Sequence, residues 1–396
     1  FNGMGDDQRA AAYLNGKSFE QAVLDNTLST EVFYEMMKLK GVYLRNYINS
    51  RLSSNEFKEF MAEFTKRYQF QEVNFTRLNS EFIRKFHFNL MDFIPNWYTI
   101  NSTPRFIVKG VDADQVEIGD YTKYIVKFQV YNPTNVEGVI SVNVEEGGGM
   151  FPGGPRGRRG RAAQMESKPA KNYIIEPRKY KEIRILCDER PSNLTINTNI
   201  SQNPPSTIMQ NFAKVTTTTT DTVTGIFDSN AALFTFNPKE ITVDNEDPGF
   251  RIIESNQKNK LQSFFKKESE DKYKNLNFWM PPSRWTATIG VNYYGDYINS
   301  AVYKKSGSGS NKTEWTTQIQ IPGFYEVFVY TSELPMMGWR HRGGEEKKIQ
   351  YYTVKHDDGE EEISVETGRG RQGWRTLGSF YFSKGEAKIT LSDKGS

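Results

Sequence analysis

The stretch ITVDNEDPGFRI, residues 241–252, concentrates acidic side chains in a short segment, and clustered carboxylates are common ligands of calcium. An EF-hand loop beginning at Asp244 would need an oxygen ligand at its fifth position and a glutamate at its twelfth. Pro248 and Ser255 occupy those positions, so the stretch does not fit an EF-hand. The residues by themselves leave the role of these carboxylates open.

The histidines and the single cysteine do not form a metal-binding or catalytic pattern. His87, His341 and His356 are the only histidines, no two of them are four residues apart, and the zinc motif H-E-x-x-H is absent. Cys187 lies in an alternating stretch that is typical of a strand with a buried thiol. His87 lies in an aromatic stretch, and we expect it to be partly buried. The sequence therefore assigns no catalytic residue, no metal site and no cofactor, and it leaves open whether the protein is an enzyme.

Two glycine-rich segments resemble phosphate-binding loops in composition only. Neither GSGSN (307–311) nor the glycine-rich part of 145–171 ends in Gly-Lys-Ser/Thr before a helix, so we predict two flexible loops. The second loop also carries four arginines: Arg156, Arg158, Arg159 and Arg161. Nucleic-acid binding through residues 150–162 is a remote alternative, because the formal net charge of the chain is only +3.

The segment GWRHRGG, residues 338–344, is the candidate ligand-binding loop of this sequence. A tryptophan face with arginine donors beside it can stack on a sugar ring or on an aromatic side chain of a peptide. The candidate residues are Trp339, Arg340, His341 and Arg342. The alternative is that Trp339 folds back onto its own domain. We expect Trp374 and Tyr352 to lie in the core.

The composition is that of a globular protein with more than one domain. At 396 residues, 25% charged and 37% hydrophobic, the chain is long enough for two or three domains. No apolar run is long enough for a membrane helix, and one cysteine excludes an internal disulfide. Since the sequence opens with Phe1 and not with methionine, we expect a fragment or a processed product.

Residues 1–104 have the periodicity of helices. In STEVFYEMMKLKGVYLRNYINSRL (29–52), apolar residues recur at spacings of three and four. Ser53 and Glu56 form the pattern of a capping box at the start of the next helix.

From Arg105 onward the apolar period changes to two, which is typical of half-buried strands. TKYIVKFQVYN (122–132) shows this alternation, and we predict an antiparallel sandwich with immunoglobulin-like topology at 105–235. Within it, the threonine-rich tract 215–225 is predicted as an edge strand or an extended linker. Residues 236–396 are rich in strands again, among them GFYEVFVYTS (323–332).

The last segment resembles the golvesin C-terminal-like domain, a β-sandwich module also found attached to bacterial xanthan lyases. The resemblance spans residues 236–396 and rests on four motifs in the same order. Their residues are Val243, Asp244, Asn245, Asp247, Gly249 and Phe250; then Trp315, Gly323, Tyr325 and Val327; then Tyr352, Val354, His356 and Gly359; and last Gly373, Trp374, Leu377, Gly378, Phe380 and Phe382. The resemblance implies an extracytoplasmic, carbohydrate-binding-like module, in which ITVDNEDPGF marks the first strand and turn and its carboxylates need not be ligands.

The helical segment is similar to the end of the thermolysin-like domain of M1-family zinc metallopeptidases. The similarity covers FKEFMAEFTKRYQFQEVNFTRLNSEF (57–82) and DFIPNWYTINSTPRFIV (92–108), including Trp97 and Pro104. The zinc-bearing helix would lie upstream of these residues, so no catalytic residue can be assigned from it.

The fold class we predict is multidomain α + β: a helical subdomain at 1–104, an immunoglobulin-like sandwich at 105–235 and a golvesin-like sandwich at 236–396. The function we predict is that of a non-catalytic binding region in a larger exported bacterial protein, located in the periplasm or at the cell surface. Its partner would be a polysaccharide or a protein, and the low net charge disfavours nucleic acid. The alternative is the C-terminal arm of a zinc metallopeptidase whose active site lies upstream.

Overall fold

The computed structural model describes residues 6–147, 169–212, 215, 217–235, 237, 239–254, 272–276, 280–332, 348–368 and 371–395. The chain divides into two compact units, one from Asp6 to Phe234 and one whose described residues begin at Thr235. A helical region followed by antiparallel sheets packed as sandwiches confirms the predicted fold class. The three predicted domain boundaries stay predictions.

Helices occupy the first hundred residues of the chain. They are α1 (Asp6–Leu14), α2 (Phe19–Leu24), α3 (Thr30–Asn49), α4 (Ser54–Arg67), α5 (Phe75–Phe86) and α6 (Ile94–Thr99), with a 3₁₀ helix at Leu90–Asp92. The predicted capping box begins α4: the Ser53 hydroxyl accepts from the Glu56 N–H at 3.2 Å, and the Ser53 N–H donates to Glu56 Oε2 at 2.8 Å. No helix in the described ranges is long and apolar enough to cross a membrane.

The prediction that His87 is partly buried is wrong. His87 ends α5 in a left-handed conformation with φ of 53°, and its side chain is exposed. Its N–H donates to the carbonyl of Ile83, which closes the last turn of the helix. The residue therefore terminates the helix and does not contribute to the aromatic core on either side of it.

The first unit contains a sandwich of two four-stranded antiparallel sheets. One sheet has the order β1 (Ile107–Ile118), β2 (Tyr121–Tyr131), β5 (Tyr180–Cys187), β8 (Gly225–Asp228). The other has the order β4 (Lys171–Ile175), β3 (Gly138–Glu146), β6 (Pro191–Asn197), β7 (Thr207–Asn211). Between them lies a core that includes Phe106, Val126, Phe128, Ile140, Ile183, Cys187 and Ile196, as the alternating pattern predicts.

The strand order of this sandwich resembles that of immunoglobulin domains. There, strands A, B and E share one sheet and strands C, F and G share the other. Here β1, β2 and β5 share one sheet, and β3, β6 and β7 share the other. The remaining strand β4 pairs with β3 at the edge of the second sheet. Several sandwich families share this architecture, so the immunoglobulin-like assignment itself stays a prediction.

The described residues of the threonine-rich tract make one isolated bridge to the edge of the first sheet and form no strand before β8, so the choice between edge strand and extended linker stays a prediction. The Gln115 N–H donates to the Thr217 carbonyl at 2.9 Å, and the Thr219 N–H donates to the Gln115 carbonyl at 2.8 Å. These bonds form a parallel bridge beside β1. The tract therefore covers a strand edge that would otherwise expose its hydrogen-bonding groups.

A buried asparagine joins the helical region to the first sandwich. Asn199 accepts a hydrogen bond from Asn46 Nδ2 on α3 at 2.7 Å, and its own Nδ2 donates to the Val139 carbonyl on β3 at 2.8 Å. Asn199 adopts φ of 53°, a left-handed conformation that asparagine tolerates better than most residues. The side chain thereby satisfies polar groups of both elements at a site that water does not reach.

The second unit packs a two-stranded sheet on a five-stranded one. The larger sheet has the order β15 (Gly359–Thr367), β14 (Lys348–His356), β17 (Gly385–Ser392), β12 (Lys312–Ile319), β9 (Phe250–Ile253). The smaller pairs β13 (Gly323–Thr331) with β16 (Gly373–Phe382), and a separate hairpin-like pair joins β10 (Thr286–Ile289) to β11 (Ser300–Tyr303). Their shared core includes Ile319, Val327, Tyr352, Val354, Val365, Leu377, Phe380 and Phe382.

Replacement of the bridging asparagine should destabilise the first unit. We expect Asn199→Ala to lower the free energy of unfolding by about 2–4 kcal/mol, because it leaves the Asn46 amide and the Val139 carbonyl without partners and places alanine at a positive φ. Urea denaturation measures the change, with Asn211→Ala at the exposed end of β7 as the control. An effect no larger than that of the control would refute the role assigned to Asn199.

Candidate ligand-binding face

The residues predicted from sequence to bind a ligand lie outside the described part of the chain. Trp339, Arg340, His341 and Arg342 all fall within 333–347, and residues 148–168 cover most of the predicted arginine-rich loop. Both proposals therefore stay predictions. The sites below are built from residues that the structure describes.

The acidic stretch 241–252 forms a turn that leads into β9. Asp247 Oδ2 accepts from the Asp244 N–H at 2.7 Å, and the Asp247 N–H donates to the Asp244 carbonyl at 3.1 Å. The Gly249 carbonyl accepts from the Thr316 N–H at 2.8 Å, and a Cβ at Gly249 would overlap the carbonyl oxygen of Thr316. Glycine is therefore required where the turn meets β12.

The remaining carboxylate of the turn binds side chains of its own domain. Glu246 Oε1 accepts from the Ser300 hydroxyl at 2.6 Å and from the Tyr273 hydroxyl at 3.1 Å, and Lys272 forms an ion pair with Oε2. Among the described residues, no group of three or more His, Cys, Asp and Glu side chains is arranged to hold a metal ion. The carboxylates of this turn thus act in folding, through hydrogen bonds to neighbouring elements.

The short glycine loop GSGSN is also organised by an internal carboxylate. Asp393 accepts from the Gly309 N–H at 2.7 Å and from Asn311 Nδ2 at 2.8 Å, and it pairs with Lys304 Nζ at 2.6 Å. The side chains of Asp393 and Lys304 are both almost fully buried. The prediction of a flexible loop is wrong for 307–311, because these backbone N–H groups already bind an anion that the domain itself supplies.

The smaller sheet of the second unit exposes a row of aromatic rings, which we call the aromatic face. On β13, Phe324 and Phe328 are 76% and 45% exposed, and on β16, Trp374 and Tyr381 are 49% and 37% exposed. The face comprises Tyr294, Phe324, Phe328, Tyr330, Trp374 and Tyr381. Several large apolar side chains exposed on one sheet face are a common feature of interaction sites.

A β-bulge in β16 places Trp374 on this face. Val327 pairs with Gly378 and Phe328 pairs with Thr376, so Leu377 is an extra residue opposite a single step of β13. On the C-terminal side of the bulge Phe380 and Phe382 point into the core, and on its N-terminal side Trp374 points outward. Gly378 adopts φ of 137°, which only glycine readily accepts.

Cross-strand pairing groups the rings at the two ends of the face. Phe324 pairs with Tyr381, and their ring centroids are 5.4 Å apart in an edge-to-face arrangement. Tyr330 pairs with Trp374, and those centroids are 5.5 Å apart, again edge to face. Such pairs stabilise one another beyond the area that they bury.

The connection between β10 and β11 adds a third ring to the tryptophan end. The Asn292 carbonyl accepts from the Ser332 hydroxyl at 3.0 Å and from Gln372 Nε2 at 3.2 Å, which ties this connection to the ends of β13 and β16. Tyr294 then lies 5.0 Å from Trp374 and 5.6 Å from Tyr330, measured between ring centroids. Three elements thus hold the cluster of Tyr294, Tyr330 and Trp374.

The prediction that Trp374 lies in the core is wrong, whereas Tyr352 is buried as predicted. A strict period of two places Trp374 on the same side as Phe380 and Phe382, and the bulge at Leu377 changes that parity. Gly378 inside a strand pattern was the available signal, since glycine in a strand often marks a bulge.

Comparison with known proteins relates the unit that carries the aromatic face to one domain family. Residues 274–396 match the family model of the golvesin C-terminal domain. This confirms the golvesin-like resemblance over those residues, while the acidic opening motif at 243–250 lies before them. The matched segment contains β10–β17 and every residue of the aromatic face.

One solved structure matches this chain. The structure is titled "Structure of Paenibacillus xanthan lyase to 2.6 A resolution"; it is 13% identical to this chain, with a TM-score of 0.27 over 75% of this chain and 25% of that chain. The chain therefore spans about a quarter of the length of the xanthan lyase chain, and at this TM-score the likeness carries no structural argument. No curated protein matches this sequence.

The carboxyl group of Asp244 should make the second unit less stable as pH rises. Burial raises its pKa to about 7, and repulsion from Asp247, Glu246 and Asp296 adds to this, although the Asn245 N–H opposes the shift. Between pH 4 and 7 the folded state holds a proton that the unfolded chain has lost, so stability falls through this window. We expect Asp244→Asn to raise the free energy of unfolding by roughly 2 kcal/mol at pH 8 and to change it little at pH 4.5.

Urea unfolding of the full chain at both pH values measures this effect, with Asp358→Asn in the exposed turn between β14 and β15 as the control. The burial argument fails if Asp244→Asn and the unmodified protein lose stability equally between pH 4.5 and 8.

The bulge should be intolerant of any side chain at its glycine. We expect Gly378→Ala to destabilise the second unit by about 1–3 kcal/mol, because φ of 137° is strained for alanine and a Cβ would lie 3.0 Å from the Phe380 ring. Gly323→Ala, in the same sheet and with open space around its Cβ, is the matched control. Equal unfolding free energies for the two variants would contradict this account of the bulge.

Proposed function

We propose that this chain is a non-catalytic binding region of a larger exported bacterial protein, and that its golvesin-like domain binds polysaccharide through the aromatic face. The observation that carries the proposal is the exposed row of rings on β13 and β16, with Trp374 turned outward by the bulge. The family match to residues 274–396 supports the assignment of a binding module, and the resemblance to carbohydrate-binding-like sandwiches supports the ligand class.

The chemistry of the face suits sugar rings. A pyranose ring has an apolar C–H side and polar hydroxyls at its edge, so it packs on an aromatic ring and needs hydrogen-bonding groups beside that ring. The outward side chains between the ring groups are polar: Glu326, Thr376 and Ser379. Polar side chains thus lie between aromatic groups on both strands, which suits this ligand class.

The rings are held in place before any ligand arrives. The strands fix their backbone, and the Tyr294–Tyr330–Trp374 contacts fix their relative orientation. A rigid face loses little conformational entropy on binding, which favours affinity for a flexible polysaccharide chain. A loop-borne site at 338–344 is a compatible second proposal, in which Trp339 would add a further ring.

Two other readings stay hypotheses. The same face would suit an aromatic-rich segment of a protein partner, which is the alternative ligand. The metallopeptidase alternative requires H-E-x-x-H in a longer native chain, and mass spectrometry of the protein from its host tests it. Extracytoplasmic location is part of the proposal and follows from the ligand class.

Removal of the Trp374 side chain should weaken polysaccharide binding. We expect Trp374→Ala in the full chain to weaken binding roughly tenfold or more, because it deletes the centre of the three-ring cluster. Affinity electrophoresis in gels containing single polysaccharides, both neutral and acidic, measures the change in migration. Trp339→Ala in parallel separates the contribution of the predicted loop.

The matched control is Tyr121→Ala, which removes an exposed aromatic ring from the first unit. Circular dichroism and unfolding midpoints verify that each variant is folded. The proposal is refuted if no polysaccharide retards the unmodified protein, or if Trp374→Ala migrates as the unmodified protein does. Retardation by a protein partner alone would support the alternative ligand.

A further inference from the structure

We infer that the aromatic face selects an extended polysaccharide chain that carries no carboxylate or sulfate groups where it contacts the face. This inference rests on the proposed function and names the ligand class of the same site. It depends on the length of the face and on the charges within it and at its ends.

The face is long enough for several consecutive sugars. Its ring groups lie at Phe324 with Tyr381, at Phe328, and at Tyr330 with Trp374 and Tyr294. From Phe324 to Tyr330 the strand advances six residues, or roughly 20 Å at about 3.3 Å per residue. A face with three successive ring contacts over this length suits the interior of a polysaccharide chain better than a single terminal sugar.

The one charged group within the face, among the residues described, is a carboxylate. The outward residues of β13 are Phe324, Glu326, Phe328 and Tyr330, and those of β16 are Trp374, Thr376, Ser379 and Tyr381. Glu326 is exposed and lies opposite Ser379, midway between the first two ring groups. A carboxylate accepts hydrogen bonds from sugar hydroxyls and repels an anionic group placed over it.

At the tryptophan end, the described arginines Arg371 and Arg375 both form contacts within the domain. Arg371 forms an ion pair with Glu366, and Arg375 Nε donates to the Arg371 carbonyl at 3.2 Å. The Arg371 carbonyl also accepts from the Thr331 hydroxyl at 2.8 Å, which holds this segment against the end of β13. The positive charge of Arg371 is therefore balanced before a ligand binds.

At the opposite end, charges of both signs lie close together. Asp357 binds the Ser383 N–H at 2.9 Å and also its hydroxyl, and the Asp357 N–H donates to the Tyr381 carbonyl at 3.3 Å. The exposed Lys384 follows Ser383 in the same turn. Among the residues that the structure describes, neither end shows the excess of positive charge with which proteins attract polyanions.

Reversal of the charge at Glu326 tests this inference. The probes are a soluble neutral β-glucan and alginate, a polyuronate, in affinity electrophoresis of the full chain at low salt. We expect the unmodified protein to bind the glucan about tenfold or more tightly than the alginate. Glu326→Lys should reduce that ratio about threefold or more, and Glu326→Gln should reduce it less.

The matched control is Glu360→Lys, which makes the same charge change on the exposed strand β15 of the larger sheet. Glu326→Lys and the unmodified protein should differ less in their ratio of glucan to alginate affinity when the salt concentration is raised, because salt screens exposed charges. Oligosaccharides of two and six sugars from the same glucan test the length of the site, and the longer one should bind more tightly.

The outcomes separate the inference from the proposed function. Binding that depends on Trp374 but is as tight for alginate as for glucan would overturn the inference and leave the function intact. The inference would also be overturned if Glu326→Lys and Glu360→Lys had equal ratios of glucan to alginate affinity. It would likewise be overturned if the oligosaccharides of two and six sugars bound with equal affinity. Binding to neither polysaccharide, or binding unaffected by Trp374→Ala, would overturn the proposed function and the inference with it.

Discussion

One extra residue in β16 determines which side chains the second unit shows to solvent. Leu377 occupies the bulge, Gly378 takes the positive φ that the bulge requires, and the parity of the strand changes between Thr376 and Phe380. Without the bulge, β16 would bury Trp374 together with Phe380 and Phe382, and the core would have to admit an indole. The bulge therefore separates the apolar residues of one strand into a core set and a surface set.

The acidic turn at 241–252 and the glycine loop at 307–311, which suggest ligand chemistry in the sequence, act within the fold. Glu246 fixes the position of β11 through Ser300, and Asp393 organises the loop before β12 while it neutralises Lys304 in a buried site. A buried ion pair with several additional hydrogen bonds is costly to break, so Asp393 is not free to exchange Lys304 for a ligand. The aromatic side chains on β13 and β16, by contrast, are exposed.

Sequence patterns predicted the helices and strands well. They failed at single residues that depart from the regular periodicity of their helix or strand. The strand predicted at 323–332 is β13, and the capping box predicted at Ser53 is present at the start of α4. The prediction failed at Trp374, because periodicity does not reveal a bulge, and at His87, because apolar neighbours do not reveal a left-handed helix end. The contact between Asn46 and Asn199 joins residues far apart in sequence, and a local pattern contains no information about it.

The proposed site on the aromatic face and the predicted site on the loop 338–344 are adjacent in sequence. The predicted loop 338–344 follows β13 in the chain, and β13 supplies Phe324, Phe328 and Tyr330 to the face. Strands hold rings at fixed spacing, which favours a regular polymer, whereas loop residues adjust to the groups that branch from it. Under the proposed function, contacts of both kinds with one polymer chain would combine as in a multivalent interaction, and the affinity of the domain would exceed that of either contact alone.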